Sequence, residues 1–365
     1  MSHRENTRRL LAEHCRAYPD LQIRDIFKYL FQSAFGCEHM VTASPEALAD
    51  SIRREHSAVS SPDPSADQKN AAPVFLTPLA GSYSRVHLSW LDRGLSAETL
   101  GKLFAASAVQ EEQGLAALKA SLQVAKEMTA DGQLPFAPEA FETACREWKA
   151  AGYPAVHHSD AFRQSYCPAY RVISNRFVKF LPLLAAVDSK LQQGSLTLAI
   201  EGGSASGKTT LSQLLETLYG CTVFHMDDFF LQPHQRTPQR FAEPGGNVDR
   251  ERFLEEILLP LHRKESVTFR PFDCSTMTLS APISAEASPL TVIEGAYSMH
   301  PELAPYYDFS VFLDIVPDLQ RARIGKRNTP DMAQRFFTQW IPLEQTYFSK
   351  LQVKERCDLV LSITE

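Results

Sequence analysis

The chain has 365 residues, of which 44% are hydrophobic and 22% are charged, with a net charge of -6 and a pI near 6.0. This composition predicts a soluble globular protein of more than one domain, and its acidic balance does not favour nucleic acid as the main partner. Its seven scattered cysteines include no C-x-x-C pair, which argues against a disulfide framework or a zinc site. The polar N-terminus, together with the lack of an apolar run near ~20 residues, predicts a cytoplasmic protein without a membrane span.

The first part of the chain has the apolar spacing of helices. Helical patterns cover residues 6–54, 96–128, 138–150 and 175–191. Ser44 is a suitable N-cap because Pro45 follows at the first helical position. Residues 57–73 have little apolar surface to bury and are interpreted as a flexible loop. The sequence therefore predicts a mainly helical domain in residues 1–190.

Some segments of this first domain carry side chains that can bind a ligand or a metal. They are Cys37, Glu38 and His39, the segment 83–87, His157 and His158, and the segment 166–171. None has the spacing of a metal site, so hydrogen-bonded histidines and tyrosines at helix ends are the favoured interpretation. A second enzyme that uses His157 or His158 as ligand or base is an alternative hypothesis. The sequence does not identify the role of this domain.

From residue 195 onward, short apolar strands alternate with helices. The predicted strands are 196–200, 221–226, 267–269, 290–293, 309–313 and 359–363, and a helix is predicted at 250–262. This alternation predicts an α/β domain in residues 195–365, built on a parallel sheet with helices on both faces. In such sheets, functional residues gather at the carboxyl ends of the strands.

The segment that follows the first of these strands has the pattern of a phosphate-binding loop, G-x-x-x-x-G-K-[ST]. Glycines allow the backbone to approach a polyphosphate, and the following helix directs its N–H groups toward that anion. We predict a nucleotide site formed by Gly202, Gly203, Ser204, Ala205, Ser206, Gly207, Lys208, Thr209 and Thr210. Lys208 supplies positive charge to the β and γ phosphates, and the Thr209 hydroxyl is a ligand for Mg²⁺.

Carboxylates follow other strands of the predicted sheet. Asp227 and Asp228 come after the second strand, where Asp227 can accept a proton from a substrate hydroxyl or orient it for attack. The alternative is that the two aspartates only cap a turn. Glu294 ends another strand and is the preferred Mg²⁺ ligand, with Asp314 as the rival.

A basic segment, residues 317–327, places cations on adjacent helical turns. Arg321 and Arg323, with Lys326 and Arg327 next to them, can close over bound nucleotide, neutralise charge on the transferring phosphoryl group and exclude water. The alternative is a solvated basic helix face. We predict Asp227, Lys208, Arg321 and Arg323 as the catalytic residues.

These motifs together resemble the uridine kinase and phosphoribulokinase family of phosphate-loop kinases, to which bacterial pantothenate kinase is also related. The resemblance rests on 201–210, Met-Asp-Asp-Phe-Phe at 226–230, Arg-Pro-Phe-Asp at 270–273, Val-Ile-Glu-Gly at 292–295 and the Arg-x-Arg of the basic segment. It runs over most of residues 195–365 and does not reach the first 190.

The resemblance implies roles for single residues. Asp227 matches the acidic residue that activates the acceptor hydroxyl, with Asp228 in the variable place. Asp273 matches an aspartate that contacts sugar hydroxyls, and the lid arginines match residues that contact phosphates. Arg270, in the same motif as Asp273, is assigned with Asp228 and Asp273 to the substrate side. The segment 272–274 lacks the second aromatic residue of the family, so specificity for a uracil base is not implied.

The function predicted first is a Mg²⁺- and ATP-dependent transferase, a kinase that phosphorylates a hydroxyl of a small metabolite such as a nucleoside or another sugar-bearing compound. The alternative is a nucleotide-dependent switch or ATPase whose helical domain binds a partner. An Asn/Thr-Lys-x-Asp motif for guanine is absent, and Glu294 is followed by Gly295 in place of the Asp-Glu pair of mechanical ATPases. The sequence leaves a homo-oligomer and the choice between ATP and GTP open.

Overall fold

The structure is a computed structural model that describes residues 2–36, 44–60, 74–107 and 111–364. The chain divides into two compact units, Met1–Asp188 and Ser189–Glu365. Each unit has its own hydrophobic core. The assignment of separate functional domains to residues 1–190 and 195–365 stays a prediction.

The first unit is mainly helical, as predicted, and its elements follow in chain order. They are α1 (His3–Ala17), α2 (Ile23–Phe35), α3 (Pro45–Ser60), β1 (Leu76–Pro78), β2 (Tyr83–His87), α4 (Ala97–Ala106), α5 (Glu111–Ala130), α6 (Pro138–Ala150), α7 (Asp160–Tyr166), β3 (Tyr170–Ser174), α8 (Asn175–Val178) and α9 (Leu181–Leu191). Helix α2 is central because its buried apolar side chains, such as Ile26 and Leu30, belong to the same core as Leu11 and Leu118. These residues recur at helical spacing, which is why the pattern predicted this part of the fold.

Two details of the first unit differ from the sequence-based interpretation. Helix α3 begins at Pro45, with the Ser44 hydroxyl accepting from the amide of Ala47, as predicted, but it extends to Ser60 and so includes the first residues of the predicted loop 57–73. The remainder of that loop, 61–73, lies outside the described residues, as do Cys37, Glu38 and His39.

The segments that contain Tyr83 and Tyr170 form strands, which the helical interpretation missed. Within the described residues of this unit, β1, β2 and β3 pair in that order as an antiparallel sheet. Strand β2 is almost entirely buried although it contains Ser84 and Arg85, so it lacks the alternation of apolar and polar residues that marks a half-buried strand. The sheet thus places two polar side chains, those of Ser84 and Arg85, in the interior of the first unit.

The second unit consists of strands and helices in alternation. Its elements are β4 (Leu196–Gly202), α10 (Lys208–Tyr219), β5 (Thr222–His225), α11 (Pro238–Ala242), α12 (Arg250–Phe253), α13 (Leu259–His262), β6 (Val267–Phe269), β7 (Phe272–Asp273), β8 (Thr278–Leu279), β9 (Ile283–Ala285), β10 (Leu290–Glu294), β11 (Phe309–Ile315), α14 (Pro317–Arg327), α15 (Pro330–Arg335), α16 (Ile341–Lys350), α17 (Val353–Arg356) and β12 (Leu359–Ile363). A π-helical turn, Leu254–Leu258, joins α12 to α13, so the helix predicted at 250–262 is continuous.

The main sheet of the second unit is parallel and has the order β12-β11-β4-β10-β5 among residues 189–364. Strand β10 is buried throughout because it lies between β4 and β5. Its last residue, Glu294, pairs in register with Ile200 on one side and with His225 on the other. The carboxyl ends of these three strands therefore lie side by side, which brings the loops that follow β4 and β5 to the same edge as Glu294.

The predicted strand at 267–269 does not belong to this sheet, which corrects the sequence-based interpretation. It forms β6, which pairs antiparallel with β9, and Thr268 in its middle is exposed. Its buried ends, Val267 and Phe269, pack in the core of the unit. The segment is therefore apolar because it is buried, although it is not part of the parallel sheet. Within the described ranges, no helix combines the length and the apolar character that crossing a membrane requires.

Candidate phosphate-binding and catalytic site

The predicted phosphate loop connects β4 to α10. Gly202 and Gly207 both have positive φ, +146° and +103°. A Cβ atom at Gly202 would lie 2.7 Å from the carbonyl oxygen of Leu313 on the neighbouring strand β11. The loop conformation therefore requires glycine at Gly202 for both its backbone angle and its space.

Lys208 is the first residue of α10, and its side chain folds back over the loop. Its Nζ donates hydrogen bonds to the carbonyl oxygens of Gly202, at 2.9 Å, and Gly203, at 3.1 Å. The first N–H groups of a helix have no partner within the helix and carry the positive end of its dipole. An anion at the start of α10 would meet these amides and the Lys208 ammonium together.

Side chains from distant parts of the chain hold the outer face of the loop. Glu344 of α16 accepts hydrogen bonds from the backbone N–H of Ser204, at 3.0 Å, and from its hydroxyl, at 2.5 Å. From α14, Gln320 donates to the carbonyl of Ser204 at 2.9 Å, and Arg323 donates to that of Ala205 at 3.1 Å. Glu344 and Gln320 were not predicted, because no local pattern links them to a loop more than a hundred residues away.

Glu201, directly before the loop, was also missed. It is fully buried and accepts hydrogen bonds from the backbone N–H of Gly202, at 2.8 Å, and of Met299, at 3.0 Å, and from the Tyr347 hydroxyl, at 3.0 Å. Burial raises the pKa of Glu201 to about 7, although these donors and the charge of Lys208 act in the opposite direction. A carboxyl group inside an otherwise apolar strand was the available signal for this position.

The two residues predicted to hold Mg²⁺ lie in contact. The Thr209 hydroxyl donates to Glu294 Oε1 at 3.1 Å, and His225 Nδ1 lies 2.7 Å from the same oxygen. Burial acts to raise the pKa of Glu294, but the hydrogen bond from His225 and the charge of Lys208 hold it below its usual value. The hydrogen bond to Glu294 raises the pKa of His225. The rival ligand, Asp314, instead forms an ion pair with Lys354 at 2.6 Å.

Asp227 and Asp228 lie in a one-turn 3₁₀ helix, Met226–Phe229, directly after β5. Asp227 keeps solvent-exposed surface, but protein groups around its carboxyl displace part of the surrounding water. This loss of solvent raises the pKa of Asp227; the positive charge of Lys208 opposes the change, and the charge of Glu294 adds to it. Removal from solvent also raises the pKa of Asp228. Asp227 thus lies within electrostatic reach of both Lys208 and Glu294.

The predicted substrate residues Arg270 and Asp273 belong to the β7–β8 hairpin and its approach. Asp273 accepts hydrogen bonds from the backbone N–H and the hydroxyl of Ser275, both at 2.7 Å. The Arg270 guanidinium donates to the carbonyl oxygens of Ser280 and Leu279, at 2.7 and 3.1 Å. Both side chains thus make contacts within the hairpin, and the adjacent Cys274 is close enough for the charge of Asp227 to affect its pKa.

The predicted basic lid is helix α14, and its arginines face different neighbours. Arg323 contacts the phosphate loop, whereas Arg321 is exposed and lies over the ring of Phe337 at 4.9 Å. Arg327 contributes to the electrostatic environment of Asp227. The structure thus brings Arg323 to the loop and leaves Arg321 beside α15 and the turn that follows it.

Two of the candidate ligand-binding residues of the first unit, His157 and His158, lie within the described residues. His158 is buried and lies 2.9 Å from Asp25 and 2.6 Å from the Tyr170 hydroxyl, whereas His157 is exposed. Among the residues that the structure describes in both units, no group of three or more His, Cys, Asp or Glu side chains could hold a metal ion.

Comparisons with known proteins match the second unit. Residues 197–350 match the model of the phosphoribulokinase / uridine kinase family. A solved protein from Bacillus stearothermophilus, described as a possible uridine kinase, is 26% identical with a TM-score of 0.37, over 49% of this chain and 98% of that chain. Another from Silicibacter sp. TM1040, described provisionally as a fructose transport system kinase, is 22% identical with a TM-score of 0.36, over 48% of this chain and 97% of that chain. No curated protein matches the chain.

The family model spans the phosphate loop, Asp227 after β5, Glu294 at the end of β10, and the helices α14 and α16. Residues 197–350 therefore resemble the phosphoribulokinase and uridine kinase family, and this match covers less than half of the chain.

Proposed function

We propose that the second unit transfers the γ-phosphate of ATP to a hydroxyl group of a small metabolite. The observation that carries this proposal is the meeting of Lys208, Glu294 and Asp227 at one edge of the parallel sheet, where the charges of the first two act on the third. Phosphoryl transfer needs cations around the phosphates and a carboxylate near the attacking hydroxyl, and these three side chains supply both.

The phosphates of ATP bind along residues 202–210 and the start of α10. The loop N–H groups and the Lys208 ammonium compensate the negative charge of the β and γ phosphates. Lys208 already reaches two carbonyls of the loop, so a small movement of its side chain suffices for contact with a phosphate. The contacts of Glu344, Gln320 and Arg323 hold the loop backbone, which limits the rearrangement that nucleotide binding requires.

Thr209 and Glu294 are suited to hold Mg²⁺. Both present oxygen ligands, which Mg²⁺ prefers, and the two oxygen atoms are 3.1 Å apart at the start of α10. A bound Mg²⁺ would supply positive charge that offsets the charge developing on the phosphate oxygens. His225 keeps Glu294 in position through its hydrogen bond, as groups behind a metal ligand commonly do.

Asp227 accepts the proton of the acceptor hydroxyl as that oxygen attacks the γ-phosphorus. Its pKa is raised by its surroundings, and a base works better as its pKa approaches the working pH. Arg323 and Arg321 on α14 compensate charge on the transferring group when the helix closes over the nucleotide. Asp228, Arg270 and Asp273 contribute to the acceptor side, which favours a nucleoside or another sugar-bearing compound.

The first test is a pair of adjacent substitutions, measured with an acceptor found by screening nucleosides, sugars and hydroxy acids for acceptor-stimulated ADP release. Asp227→Asn removes the base but keeps the shape, so kcat should fall by ~10²–10⁴-fold while ATP affinity stays unchanged. Asp228→Asn is the matched control and should alter mainly the KM for the acceptor.

Two results would contradict the proposal. One is full turnover by Asp227→Asn, which would remove this residue from the reaction. The other is ADP release that responds to a macromolecule and to none of the small acceptors, which would favour a nucleotide-dependent switch.

A further inference from the structure

A chain of hydrogen bonds in the first unit links α2, β2, β3 and the segment before α7. His158 Nδ1 donates to Asp25 at 2.9 Å, and the Tyr170 hydroxyl donates to His158 Nε2 at 2.6 Å. Gln32 Nε2 lies 3.4 Å from the same hydroxyl, and its Oε1 accepts from Arg85 Nε at 2.9 Å. Asp25 and Gln32 are seven residues apart on α2 and therefore share one face of the helix. All five side chains are buried or nearly so.

Asp25 is the one carboxylate in this series of hydrogen bonds, and both of its oxygens already have partners. Besides His158, Asp25 accepts hydrogen bonds from the backbone N–H of Gln22, at 2.9 Å, and from the N–H and hydroxyl of Ser159, at 3.0 and 2.6 Å. Burial acts to raise the pKa of Asp25, but these hydrogen bonds together lower it to about 2. Asp25 therefore stays ionised at neutral pH and is committed to partners other than Arg85.

Arg85 carries a buried charge that has no counterion among the described residues. It is 1% exposed, and its Nη2 has no hydrogen-bond partner. Its guanidinium lies over the rings of Tyr170, at 4.7 Å, and Tyr29, at 5.6 Å, and no carboxylate among the described residues forms an ion pair with it. Arginine does not lose its proton in proteins, so this positive charge is permanent. Such a charge is unfavourable in a buried position unless an anion pairs with it.

The neighbouring groups add to this imbalance. Burial, followed by the charge of Arg85, lowers the pKa of Lys28 to about 8, so Lys28 is still mainly protonated at neutral pH. His14, whose ring packs against Tyr29 at 4.6 Å, is buried with both ring nitrogens unpartnered. Burial lowers its pKa well below the usual value and keeps it neutral. Arg85 and Lys28 thus face one carboxylate that is already satisfied, and the charges of Arg163 and Arg24 also act on Lys28. Polar atoms of Arg85 and His14 have no hydrogen-bond partner among the described residues.

We propose that Arg85, Lys28, His14, Gln32 and Tyr170, here named the Arg85 cluster, bind the anionic group of a small molecule, a carboxylate or a phosphate. Arg85 Nη2 donates to one oxygen of the anion, and Lys28 neutralises the remaining charge. The chain from Asp25 through His158 fixes the Tyr170 hydroxyl beside the guanidinium, so the donors keep their positions before the ligand arrives. This site is independent of the phosphate loop and of the function proposed for the second unit.

The test uses the full chain with Lys208→Ala, which weakens anion binding at the phosphate loop. Hydrogen exchange is followed in residues 23–35, 83–87 and 170–174 with inorganic phosphate or succinate, and with sodium chloride at the same ionic strength as the control. A binding anion should slow exchange by about tenfold at ten times its dissociation constant, and chloride should not. An effect of phosphate alone identifies phosphate esters as the ligand class, and an effect of succinate alone identifies carboxylates.

Arg85→Met keeps the length of the side chain and removes its charge. We expect it to abolish the anion effect and, in chloride, to raise the melting temperature, because an unpaired buried charge is lost. The matched control is Arg171→Met on β3, since Arg171 already pairs with both carboxylate oxygens of Glu55, at 2.7 and 2.8 Å, and its loss should leave the anion effect intact. Lack of protection by both anions in the parent chain, or equal protection in Arg85→Met, would overturn the proposal.

Discussion

We propose that the residues around the phosphate loop divide into those that contact the nucleotide and those that hold the loop in position. We place Lys208, Thr209 and Asp227 in the first group. Glu201 and Glu344 are buried and receive hydrogen bonds from the loop backbone or its flanks. Buried carboxylates need such partners, because an unsatisfied one costs several kcal/mol. We infer that the two glutamates position the loop without touching the nucleotide.

The choice between Glu294 and Asp314 as Mg²⁺ ligand can be decided by a pair of substitutions. Glu294→Gln removes one negative charge next to Thr209, so the Mg²⁺ concentration for half-maximal activity should rise by about 10–100-fold, the range seen when groups around a metal are altered. Asp314→Asn breaks only a partly exposed ion pair with Lys354 and should leave the Mg²⁺ requirement unchanged. A titration of activity with Mg²⁺ measures both; the reverse order of effects would make Asp314 the ligand.

At the scale of elements, the loop depends on contacts between strands. Strand β11 runs beside β4, with Leu313 paired to Gly202, so its backbone limits the space at the start of the loop. Helices α14 and α16 add the contacts of Gln320, Arg323 and Glu344 on the outside. The loop is thus held by elements that the chain supplies after residue 308.

Two glycine substitutions separate backbone strain from steric conflict. Gly220, at the end of α10, has φ +64°, and a Cβ added there would meet no atom within 4 Å. Gly220→Ala should therefore cost about 1–2 kcal/mol of stability through backbone strain alone. Gly202→Ala adds a contact of 2.7 Å with the Leu313 carbonyl oxygen and should cost more than about 3 kcal/mol.

Denaturant unfolding, with hydrogen exchange of residues 196–219 as the local probe, measures both changes. Binding of ATP should weaken in Gly202→Ala and persist in Gly220→Ala. Equal losses of stability in the two variants would mean that the contact with Leu313 is relieved without cost.

At the scale of the whole molecule, the two units should respond oppositely to mild acid. In the first unit, burial lowers the pKa of His87 and of His158 to about 4 and lowers that of His14 as well. A histidine whose pKa is lowered by folding favours the folded state when the pH is above its pKa in the unfolded chain, near 6.5. This contribution is lost as the pH falls toward the pKa of the histidine in the folded protein. The first unit should therefore lose stability between about pH 6.5 and pH 4.

The second unit contains acidic groups whose pKa values are raised in the folded state. Burial raises the pKa of Glu201 to about 7 and also raises those of Asp227 and Glu344. A carboxyl group whose pKa is raised by folding stabilises the folded state fully when the pH is below its pKa in the unfolded chain, near 4.5. This stabilisation is lost as the pH rises through the pKa of the group in the folded protein. Acidification from pH 7 to pH 5 thus stabilises this unit through these groups, partly offset by His300, whose pKa burial lowers to about 4.

Hydrogen exchange of the full chain at pH 7 and pH 5, corrected for the intrinsic rates, measures this prediction for each unit separately. Protection should fall in α2 and β2 and should hold or rise in β4 and β10. His14→Phe replaces an unpartnered buried imidazole by a ring of similar shape and should reduce the acid sensitivity of the first unit. Loss of protection that begins in β4 and β10 would contradict the argument.

The sequence predicted the parts of the second unit whose determinants are local. Three local patterns could be recognised within short segments: a glycine pattern followed by Lys and Thr, carboxylates at or just after the ends of apolar strands, and a basic helix. The α/β fold class and the mainly helical first unit were confirmed. Residues such as Glu344 could not be predicted, since their partners are set by how α16 packs against the loop.

The sequence by itself determined which side chains are available for phosphate chemistry, because glycine, lysine and carboxylate motifs express the local backbone needs of a phosphate loop. Only the tertiary structure decided that Val267–Phe269 pairs outside the main sheet and that Arg321 and Arg323 have different neighbours. It also decided that Arg85 of β2 is buried next to α2 and β3, with no counterion in the part of the chain that the structure describes. Burial and pairing depend on segments far apart in the chain, and no short pattern encodes them.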